Sequence, residues 1–179
     1  MTPEEHAAIV SLFASGDQNK TGFLKDSELA KILTNQDFSR FNSRTVRLMV
    51  RIFGNTRQGQ LDFVEFCHLW QYLNEWRKVY SESDRDGSGL ISYEEFRNAL
   101  IRFGFRLSDK FIALLFRTFV SRIDPRTSKP AITFDMFVQA CITLQRMTQF
   151  FKDADADNDG FASFSVETFM SIVLDLTIV

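Results

Sequence analysis

The chain is predicted to be all-α, with five helix–loop–helix units in about eight helices and short β-bridges between paired loops. Three observations carry that prediction. Apolar residues recur at three- and four-residue spacing behind capping side chains. Only 3 of the 179 residues are proline while 20 are phenylalanine, which suits helices packed through large side chains. A short oxygen-rich loop with a glycine near its middle recurs between the helices. With 45% apolar and 25% charged residues, the chain has the balance of a folded domain and not of a disordered or fibrous one. Twenty-one Lys and Arg against 23 Asp and Glu leave no global field to recruit nucleic acid or anionic lipid. Cys67 and Cys141 are too few for a disulfide framework. Neither a secretory leader nor an apolar run of membrane-spanning length is seen, so a cytoplasmic location is expected.

The first helix opens at Thr2 and Pro3, with Glu5 three residues past the cap, and carries Ile9, Leu12 and Phe13 to an end at Gly16 and Asp17. Further openings are expected at Asp26 and Ser27, Ser43, Asp62, Ser92, Ser108, Thr133 and between residues 163 and 165, each a capping side chain ahead of helical apolar spacing. The stretch 62–83, with Trp70, Leu73, Trp76 and Val79, reads as the longest helix. No Gly- or Ser-rich linker interrupts the series. One domain over 1–179 is therefore expected, with units at about 4–33, 43–73, 74–103, 108–140 and 141–176.

The loops carry the chemistry. A calcium ion takes roughly six to eight oxygens at about 2.3–2.6 Å, and a short loop supplies them from alternate positions, with a glycine at the sharp turn and a bidentate Glu at position 12. The clearest copy has Asp84, Asp86 and Ser88, the Leu90 carbonyl, Ser92 at the water-bridging position and Glu95. A weaker copy has Asp17, Asn19 and Thr21, the Phe23 carbonyl and Glu28, with Lys25 at the water-bridging position. A third has Asp155, Asp157 and Asp159 with the Phe161 carbonyl, but Val166 stands at position 12 and Glu167 comes one residue late. That loop is expected to be weak, taking magnesium or calcium only at high concentration.

Two further loops keep the frame without the ligands. The loop at Gly54, with Gln58 at position 5, ends on Glu65 but has glycine where the first aspartate belongs. The loop from Ser121 to Ile132 carries Pro125 and Pro130 and the cations Arg122, Arg126 and Lys129, and has no glycine. Neither is expected to hold calcium. Paired loops should meet through Leu24 with Leu61 and Ile91 with Ile132.

Five units leave one unpaired at Ala162, followed by Phe164, Val166, Phe169, Met170, Ile172, Val173, Leu174, Leu176, Ile178 and Val179. A two-fold contact with the same unit of another chain would cover these residues, and Ala162, Phe169, Ile172 and Val173 are the expected dimer positions. The alternative is packing against the chain's own long helix.

Five such units, an inserted residue in the fifth and an apolar C-terminal segment resemble the penta-EF-hand family, and within it the group of the programmed-cell-death calcium sensor and peflin. Sorcin, grancalcin and the calpain small subunit are more distant. The likeness is most specific over 84–96, 103–109, 141–146 and 155–160. It implies cytoplasmic adaptors that form homo- or heterodimers through the fifth unit. On binding Ca2+ they expose apolar pockets for Pro-rich segments of membrane-trafficking or repair proteins, and they reach membranes through those partners. The resemblance places Trp70, Trp76 and Phe103 in the pocket and makes Arg106 the residue whose movement opens it. Three departures stand out: Ala154 replaces a tyrosine common before the fifth loop, the fourth unit carries its Pro-containing insertion, and the chain opens almost directly on its first helix, without a Gly/Pro-rich leader.

The competing expectations are a calcium buffer that loads without opening and a regulatory subunit of a calpain-like heterodimer. Two good sites are poor capacity for a buffer. An enzyme is not expected: Cys67 and His68 are adjacent, so on a helix their side chains diverge by about 100° and form no nucleophile–base pair.

Overall fold

Helix starts in this chain lie where an acceptor side chain or backbone turn meets free amides. The structure, a computed structural model, describes residues 3–57 and 59–177. The expected cap at Thr2, the loop residue Gln58 and the last two apolar positions, Ile178 and Val179, lie outside the described residues. The order is α1 (Pro3–Gly16), β1 (Leu24–Lys25), α2 (Asp26–Ile32), α3 (Ser43–Phe53), β2 (Gln60–Leu61), α4 (Phe63–Ser83), α5 (Tyr93–Arg102), α6 (Asp109–Phe119), β3 (Arg122–Ile123), β4 (Pro130–Ala131), α7 (Phe134–Ala154) and α8 (Val166–Thr177). The all-α expectation holds, with eight helices among the described residues.

Several expected caps form. Asp62 accepts from the Glu65 amide at 2.8 Å, Ser108 from Phe111 at 3.2 Å and Ser165 from Thr168 at 3.1 Å. Others differ by a residue. Helix α2 starts behind Lys25, because Glu28 reaches back to the Lys25 amide at 2.9 Å and closes the turn without Asp26 or Ser27. Helix α3 is capped by Asn42 and not Ser43, its side chain accepting from the Arg44 amide at 2.9 Å. Thr133 precedes α7, but its hydroxyl donates to Asp135 at 2.5 Å and leaves the helix amides alone. The stretch 62–83 is not uniquely long: α4 and α7 each run 21 residues. Both are shared, since α4 leaves the second unit and enters the third while α7 leaves the fourth and enters the fifth.

The loop pairing follows the expected register. Leu24 lies opposite Leu61 in the antiparallel β1–β2 ribbon. Ile91 and Ile132 exchange two backbone hydrogen bonds of 2.9 Å. All four side chains are fully buried, so the bridges tie each loop pair to the core. The fourth unit's insertion folds as a hairpin, with Arg122 opposite Ala131 and Ile123 opposite Pro130. The core runs through both halves: Tyr80 stacks edge-on against Phe134 and Phe137, each at 5.4 Å between ring centres, and Phe96 reaches Phe137. Buried Asp135 accepts from the Asn42 amide at 2.6 Å and donates its own amide to Asn35 at 3.0 Å, which fixes α7 against the loop between α2 and α3.

Candidate metal centre

Each unit presents its loop just ahead of an exit helix, and the third residue of that helix decides whether the loop can close. In α2 and α5 that residue is Glu28 and Glu95; in α8 it is Thr168.

At the Asp84 loop, oxygens of Asp84, Asp86 and Glu95 lie within 4.8 Å of one another. Asp84 organises the turn by accepting from the amides of Ser88 at 2.9 Å and Gly89 at 2.8 Å, while Gly89 adopts the positive φ of 76° that the sharp bend requires. The Ser88 hydroxyl donates to the Leu90 carbonyl at 2.7 Å, so the expected fifth and seventh ligand oxygens are adjacent. Glu95 is buried and faces the loop, taking the Arg85 amide at 2.8 Å on one oxygen and the Ser92 amide at 2.9 Å on the other. The donor set is all oxygen, with three carboxylates, and fits a hard cation of calcium's kind. Hydrogen bonds from Ser88, opposed by partial burial and helped by the Arg126 guanidinium, hold the Asp86 carboxyl below its ordinary range.

The Asp17 loop has the same frame with less charge. Asp17 accepts from the amides of Thr21 at 2.9 Å and Gly22 at 2.8 Å, and the Thr21 hydroxyl donates to the Phe23 carbonyl at 3.1 Å. Burial opposes the charge on Asp17, but these amides outweigh it and keep its carboxyl below the usual range. The Asn19 amide group donates to Glu28 at 3.0 Å, so positions 3 and 12 already meet across the loop.

At the third loop, Asp155, Asp157 and Asp159 also bring their oxygens within 4.8 Å, and Asp155 accepts from the Asp159 and Gly160 amides at 3.1 Å. Its exit helix starts at loop position 12, two residues later than in the other two. Val166 and Glu167 therefore face solvent and Phe161 is exposed, so the described residues put no closing carboxylate beside the three aspartates. In the second unit Glu65 stands third in α4, but its oxygen is taken by the amides of Asn55 at 2.8 Å and Thr56 at 2.6 Å. Burial disfavours the Glu65 charge, and the amides of Asp62, Thr56 and Asn55 more than offset it.

The four expected pocket residues are not brought together. Trp76 and Phe103 meet edge-on at 6.3 Å and line a hollow of about 360 Å3 with Tyr72, Val79 and Phe105. Arg106 is exposed and lies with Phe103 on an adjoining hollow that Leu107 and Phe111 also line. Trp70 sits elsewhere, under the Arg77 guanidinium at 5.1 Å and beside α1 residues Glu5, Ala8 and Ile9. Six helical residues rotate a side chain by about 600°, so Trp70 and Trp76 leave α4 on different faces.

The expected dimer residues also divide. Phe169 is 58% exposed and Val173 39%, whereas Ile172 and Ala162 are half-buried and Ile172 lines a hollow with Phe150 and Ala154 of α7. Helix α8 is held to its own chain through Asp175, which pairs with Arg51 of α3 and Arg146 of α7. Ala162 has no β-bridge partner among the described residues.

Two contributors escaped the sequence pattern. The Tyr80 hydroxyl lies 3.0 Å from both the Gly89 and Ile132 carbonyls and ties the Asp84 loop to the loop of the fourth unit; burial pushes its pKa well up and keeps it a donor. Arg126 reaches Asp86 from 40 residues away. The only local trace of it is the Asp124-Pro125 turn signal.

No family model matches the chain. It is 36% identical to human peflin over 162 residues, which are 90% of this chain and 56% of that protein. It is 32% identical over 179 residues to an Arabidopsis thaliana protein described as probable calcium-binding protein CML48, covering 97% of this chain and 75% of that one. The chain belongs to the penta-EF-hand family. A solved structure of a homolog of programmed cell death 6 protein from Leishmania major Friedlin superposes with a TM-score of 0.75 at 23% identity, covering 94% of this chain and 93% of that one. That likeness shows a shared fold. This penta-EF-hand chain spans a little over half the length of the human and mouse peflins it matches.

Proposed function

We propose that the chain is a calcium sensor and adaptor, a single domain of five units whose Asp84 and Asp17 loops bind Ca2+. The Asp155 loop is its weak site, open to Mg2+ or to high calcium. The ligands are Asp84, Asp86, Ser88, the Leu90 carbonyl and Glu95 in one loop, and Asp17, Asn19, Thr21, the Phe23 carbonyl and Glu28 in the other. The description of the Arabidopsis relative as a probable calcium-binding protein supports this reading.

One observation carries the sensor role. Helix α5 holds Glu95 as its third residue and Phe103 at its C-terminal cap, so one stiff rod about 15 Å long joins the closing ligand to the wall of the aromatic hollow. Each Glu95 oxygen accepts one amide, from Arg85 or Ser92, and keeps a lone pair for an ion, so drawing the carboxylate onto calcium re-aims the start of α5. Calcium then supplies the differential binding energy between a closed and an opened hollow. Trp76 and Phe103, with Arg106 on the adjoining hollow, receive Pro-rich segments, whose extended conformation is read by aromatic grooves. Trp70 lies outside this hollow.

The exposed face of α8 pairs with the same unit of a second copy or of a related chain. No helix of the described residues is long and apolar enough to cross a membrane. Work in the cytoplasm, with membrane contact through partners, completes the proposal. The test is apolar-dye fluorescence with and without calcium, followed by titration with a Pro-rich peptide. A calcium-dependent rise and calcium-dependent peptide binding are expected; a dye signal that ignores calcium identifies a buffer.

Glu28→Gln is expected to remove the weaker of two calcium-binding events, weakening that loop at least about 30-fold, because it takes one of only two carboxylates at the ligand positions there. A calorimetric titration that still shows both events at full size contradicts the assignment of the Asp17 loop.

A further inference from the structure

The fourth unit has no ligand set of its own, yet it lends a charge to its neighbour. Arg126 stands in the turn of the β3–β4 hairpin. Its Nη2 lies 3.2 Å from Oδ1 of Asp86, the third-position residue of the Asp84 loop. Its Nε is 3.6 Å from Asp124, which is 7% exposed and locked in place by the Arg126 amide at 2.8 Å and the Thr127 hydroxyl at 2.9 Å. The Ile91–Ile132 bridge fixes the hairpin beside the loop. The guanidinium is thus aimed by a preformed turn.

We propose that Arg126 is a tethered cation that competes with calcium for the Asp84 loop, so that the metal-free fourth unit sets the affinity of the third. The sign follows from Coulomb's law. Without a metal, Arg126 neutralises part of a cluster of three carboxylates, Asp84, Asp86 and Glu95. With a dication among those carboxylates the same guanidinium is repelled, and the Asp86 oxygen it contacts is wanted at about 2.3–2.6 Å from the ion. Arg126 therefore stabilises the empty loop and destabilises the loaded one. By linkage, calcium loosens the Arg126 contact as much as Arg126 weakens calcium. Both partners are about half exposed, with side-chain exposures of 48% and 57%, so screening keeps the effect modest.

The inference rests on the proposed calcium binding at Asp84, and the experiment separates the two. Calcium titration calorimetry is run on the full chain in a Glu28→Gln background, which leaves the Asp84 loop as the strong site. Arg126→Gln keeps the turn, since the backbone amide and not the side chain makes its hydrogen bond. It is expected to tighten the Kd by about two- to five-fold at low salt. The gain should shrink as KCl rises past 0.1 M, where the screening length falls to about 10 Å. Arg122→Gln removes an equal charge from the same hairpin, one paired with Asp37 at 3.2 Å, and should leave the Kd in place. An unchanged or weaker Kd in Arg126→Gln, or equal tightening in Arg122→Gln, overturns the proposal while calcium binding at Asp84 stands. A background chain with no binding heat that Glu95→Gln removes overturns both.

Discussion

Glu95→Gln is expected to abolish the tighter calcium-binding event, weakening the Asp84 loop by about 100-fold or more. The substitution keeps the size and the helix-start geometry, including acceptance from the Ser92 amide by the side-chain carbonyl. It removes one of three converging negative charges and one of the two oxygens of a bidentate ligand. The fold should survive, because Glu95 sits at the edge of the core and its hydrogen bonds are to loop amides. In calorimetry one binding event should vanish while helical circular dichroism stays unchanged. The calcium-dependent dye signal should fall with it, since α5 is the rod that reaches Phe103. Retained binding at full strength with this variant removes the Asp84 loop from the account.

The second large effect concerns self-association. Phe169→Asp is expected to raise the dimer dissociation constant by at least about 100-fold, because an unpaired carboxylate buried at an interface costs roughly 3–5 kcal/mol. Phe169 is 58% exposed, so the monomer should tolerate the change. Sedimentation velocity is expected to show a dimer for the unaltered chain and a monomer for the variant. A profile identical in both places the interface elsewhere. Ile172→Asp is the poorer probe: Ile172 is half-buried in a hollow against Phe150 of α7, and a charge there would disturb the fold as well.

The units were legible because their signals are local. A capping side chain, an apolar repeat and a six-residue turn with glycine lie within about a dozen residues of each other, and Asp84 to Glu95 folds as that pattern reads. The bridges were legible for the same reason, since position 8 of each loop is fixed once the loop is found: Leu24 meets Leu61 and Ile91 meets Ile132. What stayed hidden depends on residues distant in the chain. The reach of Arg126 to Asp86 and the hydroxyl of Tyr80 at Ile132 need the paired units to be docked before they exist. The grouping of Trp70 with Trp76 failed because family likeness names positions while helical phase decides which face each occupies. The apolar C-terminal segment showed which residues want cover, but packing against α7 decides that Ile172 turns inward and Phe169 outward.

The most direct test of the whole account is equilibrium dialysis of the unaltered chain against calcium at micromolar free concentration, in the presence of millimolar magnesium. About two bound calcium ions per chain are expected, one for each loop that has both an aspartate at its first position and a glutamate at the third residue of its exit helix. A protein that emerges with none contradicts the claim that these loops are divalent-ion cages, and the opening of the aromatic hollow would lose its cause.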